Sequence, residues 1–128
     1  MSDAVFDTTV FIDSYKGNRG ATALIETVTE GGLVGWYSPL VVYELWVYPM
    51  ARDEEFFHQA MLQVLRELPV SSRETRQVAE WLRPWTRPQR LRRATDALIA
   101  AGAASIGATI YTRNPRDFTR FYTDVQSY

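Results

Sequence analysis

The chain has no cysteine and a single histidine, His58. The first absence rules out a disulfide framework and thiolate chemistry. The second excludes most zinc sites, which draw on Cys and His ligands. No apolar stretch reaches the roughly 18 residues needed to span a bilayer. Met1 to Asp3 leads straight into a strand-like run, without the basic segment that opens a secretory leader. Neither a Gly-rich dinucleotide loop nor a P-loop occurs, so a nucleotide-binding α/β protein finds no support. A net charge of −1 argues against a uniformly basic nucleic-acid binder and leaves local patches open. Repeats, low-complexity segments and linkers are also missing. A length of 128 residues suits one domain spanning 1–128 with a sizeable core, and the expected setting is soluble, reducing and cytoplasmic.

Against this plain background stand four carboxylates in apolar surroundings. Asp7 lies in AVFDTTVFI, and Glu44 is the only charge between Pro39 and Ala51. Asp96 is the only charge between Ala94 and Thr112, and Asp117 closes the turn TRNPRD ahead of Phe118. An unpaired buried charge costs several kcal/mol, so such groups pair, neutralise or bind metal. If the four converge, they suit a hard divalent cation. Taken singly, each has a plainer reading. Asp7 and Asp96 are placed as helix caps, Glu44 is able to pair with an arginine elsewhere, and Asp117 suits a turn.

Strand-like and helix-like segments alternate along the chain. Short β-prone runs occur at 4–7, 33–38, 68–71 and 108–112, with a fifth candidate at 123–127. Helical patterning covers 8–15, 21–30, 39–48, 53–68 and 72–85. Thr95 reads as the cap of a small-residue helix over 96–106 that stops at Gly107. This would place Asp96 in a first turn, where the helix dipole favours an ionised carboxylate. Alternation of this kind predicts an α/β fold, three-layer α/β/α, with a central and mainly parallel sheet of four to five strands. Ligands of such sheets bind beyond the carboxyl ends of the strands, where Asp7 and Asp117 fall.

The segments VFDTTVFID, SPLVVYELW, TDALIAAGA and TRNPRDF resemble, in order and spacing, the four acidic signatures of PIN domains. They are most similar to the small VapC-type ribonuclease toxins of toxin–antitoxin systems. The resemblance implies a metal-dependent endoribonuclease that hydrolyses phosphodiester bonds in structured RNA with Mg2+ or Mn2+. It implies Asp7 and Asp96 as direct ligands, with Glu44 on a second metal or on the attacking water. Asp117 would act through water, and Thr8, Thr112 and Asn114 would hold carboxylates or water by hydrogen bonds. Some relatives carry acids where this chain has Ala94 and Asn114, so its pocket is less negative than the richest members'.

The resemblance also implies a cognate antitoxin covering the acidic site, a homodimer and no membrane contact. The aromatic face of Trp36, Trp46, Tyr48, Phe56 and Phe57 is a candidate for either contact, and core packing explains most of it equally well. The run RPWTRPQRLRR, kinked by Pro84 and Pro88, sets Arg83, Arg87, Arg90, Arg92 and Arg93 beside Trp81 and Trp85. Arginine forks bind phosphate and tryptophan stacks on unpaired bases, so Arg87, Arg90, Arg92 and Arg93, with Arg113, are candidate RNA contacts. A solvated connection and a docking strip for an acidic partner remain open for the same run. Asp13 is expected on an exposed helix face, and His58 on the surface or in packing. The alternative function is a PIN-fold module that binds RNA or a partner with little catalysis.

Overall fold

The computed structural model describes residues 2–128; residue 1 of the expected 1–128 unit lies outside them. Strand β1 (Ser2–Phe6) is followed by helices α1 (Thr8–Tyr15) and α2 (Arg19–Thr29). Strand β2 (Leu33–Tyr37) leads into α3 (Pro39–Trp46) and α4 (Arg52–Val64), then β3 (Arg66–Glu67). Helices α5 (Ser72–Leu82) and α6 (Arg87–Ile106) precede β4 (Thr109–Tyr111), α7 (Arg116–Thr119) and β5 (Val125–Gln126).

The strands form one sheet in the order β3-β2-β1-β4-β5, and every neighbouring pair runs parallel. Parallel neighbours need crossover connections, and these are almost always right-handed. The chain steps one way from β1 to β3 and then returns to the other side of β1. The first four helices and the α5–α6 pair therefore cover opposite faces, which gives the expected α/β/α layers. Central β1 is shielded on both sides: Ala4, Val5 and Phe6 are completely buried, a continuous apolar run instead of an alternating one. Val10, Phe11, Ile99, Ala100, Ala103 and Ile110 complete the core around it.

Helix α6 departs most from expectation. It begins at Arg87 and not at Asp96, because Thr86 and Gln89 close a reciprocal capping box and Pro88 sits in the first turn. The arginine run is therefore mostly helical. Gly107, at φ 66°, ends the helix in the left-handed conformation, as expected. Strand β3 also differs. It pairs at Arg66 and Glu67, before the expected 68–71, since the register Trp36↔Arg66 and Tyr37↔Glu67 already completes the edge of β2.

Candidate metal centre

Strand β1 lies between β2 and β4, so the chain leaves the sheet in opposite directions from this point. A crevice opens there at the carboxyl edge. Asp7 is the first residue past β1, and its amide donates to the Tyr111 carbonyl of β4 at 3.2 Å. It holds the cap position of α1 without making a capping hydrogen bond through its side chain. Two hydroxyls instead converge on Asp7 Oδ2, from Thr112 at 2.9 Å and from Thr9 at 3.1 Å. Burial pushes the Asp7 carboxyl above its ordinary pKa, and these hydroxyls with the nearby Thr8 and Thr9 backbone pull it back down.

Helix α3 starts at Ser38, whose side chain accepts from the Leu40 amide, with Pro39 in the first turn. That start sets Glu44 a turn and a half later, where the Thr8 hydroxyl donates to its Oε1 at 2.8 Å. Burial raises the Glu44 pKa, Thr8 lowers it, and the charge of Asp7 raises it again.

Asp96 lies in the third turn of α6, well inside the helix, so the expected dipole stabilisation of its charge does not apply. Burial is the main cause that pushes its carboxyl up to about 7. The charges of Asp117, Asp7 and Glu44 add to the rise, and Arg93 opposes it. Arg93 Nη1 stands 3.1 Å from Asp117 Oδ1 and 3.5 Å from Asp96 Oδ2. Asp117 lies in α7, so the four acids reach one crevice edge from four separate helix starts or interiors.

The donors are carboxylate and hydroxyl oxygens, the hard set that Mg2+ and Mn2+ prefer. Among the described residues no three acidic or imidazole side chains form a ready-made cage for an ion. The charges of Asp117, Asp7 and Glu44 that raise Asp96 nevertheless mark a pocket with more negative charge than Arg93 neutralises, so the residues fit a divalent cation.

A family model for the PIN domain matches residues 4–123. The chain belongs to the PIN domain family. No curated protein sequence matches it. Among solved structures, a chain of the VapBC2 complex from Rickettsia felis bound to a promoter DNA fragment is similar, with a TM-score of 0.72, 17% identity and 98% of each chain covered. A toxin–antitoxin complex from Klebsiella pneumoniae gives a TM-score of 0.66 at 24% identity, over 96% of this chain and 95% of the other. DNA-bound VapBC from Salmonella typhimurium gives 0.68 at 19% identity, over 100% and 98%.

Within this PIN fold the other expected residues fare unevenly. Thr8 donates to Glu44 and Thr112 to Asp7, and Thr9, not among the expected residues, donates to Asp7 as well. Its only signal was the doubled threonine after Asp7. Asn114 instead donates its backbone amide to the Thr112 hydroxyl at 3.0 Å. Arg87, Arg90 and Arg92 are exposed along the first turns of α6. Arg93 turns in to the acids, and Arg113 Nη1 is tied to Asp13 at 2.7 Å. The tryptophans are not free stacking platforms. Phe121 stacks on Trp81 at 5.6 Å and on Trp85 at 5.4 Å, and the Arg120 guanidinium lies 5.6 Å from the Trp85 ring centre.

Asp13 is buried, against expectation, because Arg113 and Tyr128 supply partners from far along the chain. His58 is buried as well, ringed by Phe11, Tyr15, Trp46 and Phe57. In the expected contact face, Trp36 and Trp46 are half-buried and donate their indole N–H groups to Asp3 and Glu55. Phe57 packs on Tyr15, which leaves Tyr48 and Phe56 exposed beside Tyr43 and Val47. A cavity of about 300 Å³ opens next to Glu44, between Tyr15, Lys16, Tyr48, Glu54 and His58. No helix among the described residues is long and apolar enough to cross a membrane.

Proposed function

We propose that this chain, as one PIN unit over 1–128, is a Mg2+- or Mn2+-dependent endoribonuclease and the toxin of a toxin–antitoxin pair. The observation that carries the reading is the Asp96 carboxyl, pushed up to about 7 by burial together with Asp117, Asp7 and Glu44. A carboxyl raised by burial and by neighbouring acids in a cleft marks a charge-binding site in place of a set of surface caps. When bound, a divalent cation would supply an activated water for in-line attack on phosphorus and would screen the phosphate charge.

The chain's own residues do the positioning. Asp7 and Asp96 are the direct ligands, with Asp7 held through Oδ2 by the Thr9 and Thr112 hydroxyls. Thr8 fixes Glu44 to receive a proton or a second ion. Asp117, already engaged by Arg93, acts from further out. Arg87, Arg90 and Arg92 lead toward the cleft and suit the phosphates of structured RNA. The exposed Tyr43, Val47, Tyr48 and Phe56, of which Tyr48 borders the cavity beside Glu44, suit an antitoxin segment or a second copy of the chain. The similar toxin–antitoxin assemblies support such a partner, and a toxin of this kind works in the cytoplasm.

The test is cleavage of cellular RNA by antitoxin-free protein with Mg2+ or Mn2+, with the new RNA ends sequenced. Asp7→Asn and Asp96→Asn should abolish cleavage, as should EDTA. Equal cleavage in either variant or in EDTA would falsify the metal mechanism. An absence of any cleavage, with tight partner binding retained, would favour a binding module.

A further inference from the structure

Asp13 is a buried carboxylate that the proposed reaction does not use. It lies six residues beyond Asp7, with its side chain 8% exposed. Such a charge requires partners, and both its oxygens have one. Arg113 Nη1 donates to Oδ1 at 2.7 Å, and the Tyr128 hydroxyl donates to Oδ2 at 2.6 Å. Burial and this bond hold the Tyr128 phenol above its ordinary pKa, so it remains a donor. Gly20 lets the Tyr128 backbone come close, since a Cβ at position 20 would meet the Tyr128 carbonyl carbon at 2.8 Å.

From Arg113 the chain of contacts leads back to the cleft. The backbone amide of Arg113 donates to Thr9 Oγ1 at 3.0 Å, and the next amide, of Asn114, donates to Thr112 Oγ1 at 3.0 Å. A threonine hydroxyl has one proton to give. With an amide already aimed at each oxygen, each hydroxyl is left to donate, and Asp7 Oδ2 lies within reach of both; the Thr9 hydroxyl also meets Tyr128 and lies 3.4 Å from Thr112 Oγ1. The two hydroxyls thereby hold the Asp7 carboxylate through Oδ2.

We propose that Tyr128, Asp13 and Arg113 form a clamp that positions the Asp7 carboxylate by fixing the turn at residues 112–114. They are positioning residues in this role: Asp13 is buried, and the half-exposed Arg113 guanidinium is held on it. The effect of the clamp on a metal ion rests on the nuclease reading above; its effect on the turn does not.

The test uses the metal-free protein and then Mn2+ alone, comparing wild type with Tyr128→Phe, Asp13→Asn and Arg113→Lys. Amide hydrogen exchange at Arg113 and Asn114 should quicken about tenfold or more in Asp13→Asn while the β1 amides keep their rates. Tyr128→Phe, which removes one hydroxyl and no charge, should move the same two amides in the same direction. Arg113→Lys, which keeps the charge, should recover part of the protection. Mn2+ affinity, read by electron paramagnetic resonance, should fall about 10- to 100-fold in Asp13→Asn. Unchanged exchange at these amides in both Tyr128→Phe and Asp13→Asn overturns the clamp, and so does a rise that only follows global unfolding. Faster exchange with unaltered Mn2+ affinity overturns the positioning of Asp7. If wild type binds no Mn2+, the nuclease reading fails, and the exchange data alone decide the clamp.

Discussion

Arg93 reaches Asp117 at 3.1 Å and Asp96 at 3.5 Å through the same guanidinium nitrogen, so one arginine serves two of the four cleft acids. It is a resident cation at the mouth of a site suited to a mobile one. Replacing it with Met keeps the packing of the stem and removes the charge. Asp117 and Asp96 are then free for a metal, and Mn2+ binding measured by calorimetry should tighten by up to about fivefold, the worth of a part-exposed ion pair. Weaker binding in Arg93→Met would show that the arginine orients the acids instead of competing for them.

The acidity of Asp96 makes stability depend on pH in an unusual direction. Its folded pKa, about 7, lies above the ordinary carboxyl value of 3.8. Between those values the folded chain binds the proton more tightly than the unfolded chain does. Metal-free stability should therefore decline as pH rises from about 4 to 7, and Glu44 and Asp7 act in the same sense. Asp96→Asn should raise the thermal midpoint at pH 8 by roughly 2–8 °C. Scanning calorimetry across pH checks this, and a midpoint in Asp96→Asn that is lower than wild type at pH 8 would contradict it. Mn2+ binding should strengthen through the same range, since the ligand must lose its proton.

Thr8 is the partner of Glu44, at 2.8 Å. Thr8→Val keeps the shape and deletes the donor. RNA cleavage should fall about 10- to 100-fold, as for other residues that orient a ligand. Stability should drop by only about 1 kcal/mol. A loss of stability large enough to account for the loss of activity would assign Thr8 to the fold and not to the site.

His58 Nδ1 is buried and has no hydrogen-bond partner. Burial lowers the imidazole pKa, with Glu54 opposing. A lowered histidine pKa means that stability is lost as pH falls below about 6.5. His58→Phe, set among Phe11, Tyr15, Trp46 and Phe57, should therefore leave neutral-pH stability little changed and raise the thermal midpoint at pH 5. Acid sensitivity identical to wild type would show that His58 is not its source.

Asp7, Glu44 and Asp96 were legible in the sequence because each interrupts an apolar run, and such an interruption survives without knowledge of its partners; Asp117, beside Arg116 in a polar turn, was legible only through the TRNPRDF resemblance. The parallel sheet was legible for a similar reason: strands and helices alternate, and only crossovers join parallel neighbours. The start of α6 was misread because Thr95-Asp96 looks like a cap. The true signal, Thr86 with Gln89 and Pro88, lay inside an arginine-rich run that suggested a loop. Asp13 was misread for a deeper reason. Helix periodicity assigns faces from near neighbours, whereas Asp13 is buried by residues 100 and 115 positions away. The availability of Trp81 and Trp85 depended likewise on Phe121, whose position only the folded chain defines.

The two hydroxyls on Asp7 Oδ2 come from far apart in sequence, since Thr9 is 2 residues from Asp7 and Thr112 is 105 away. Synthesis runs from the amino end, at about 5–20 residues per second. For several seconds after Asp7 leaves the ribosome, the strand that brings Thr112 has yet to be made. A growing chain thus carries its first acid well before it carries the means to aim it. On the nuclease reading proposed above, the metal site would be complete only once β4 and Thr112 are in place.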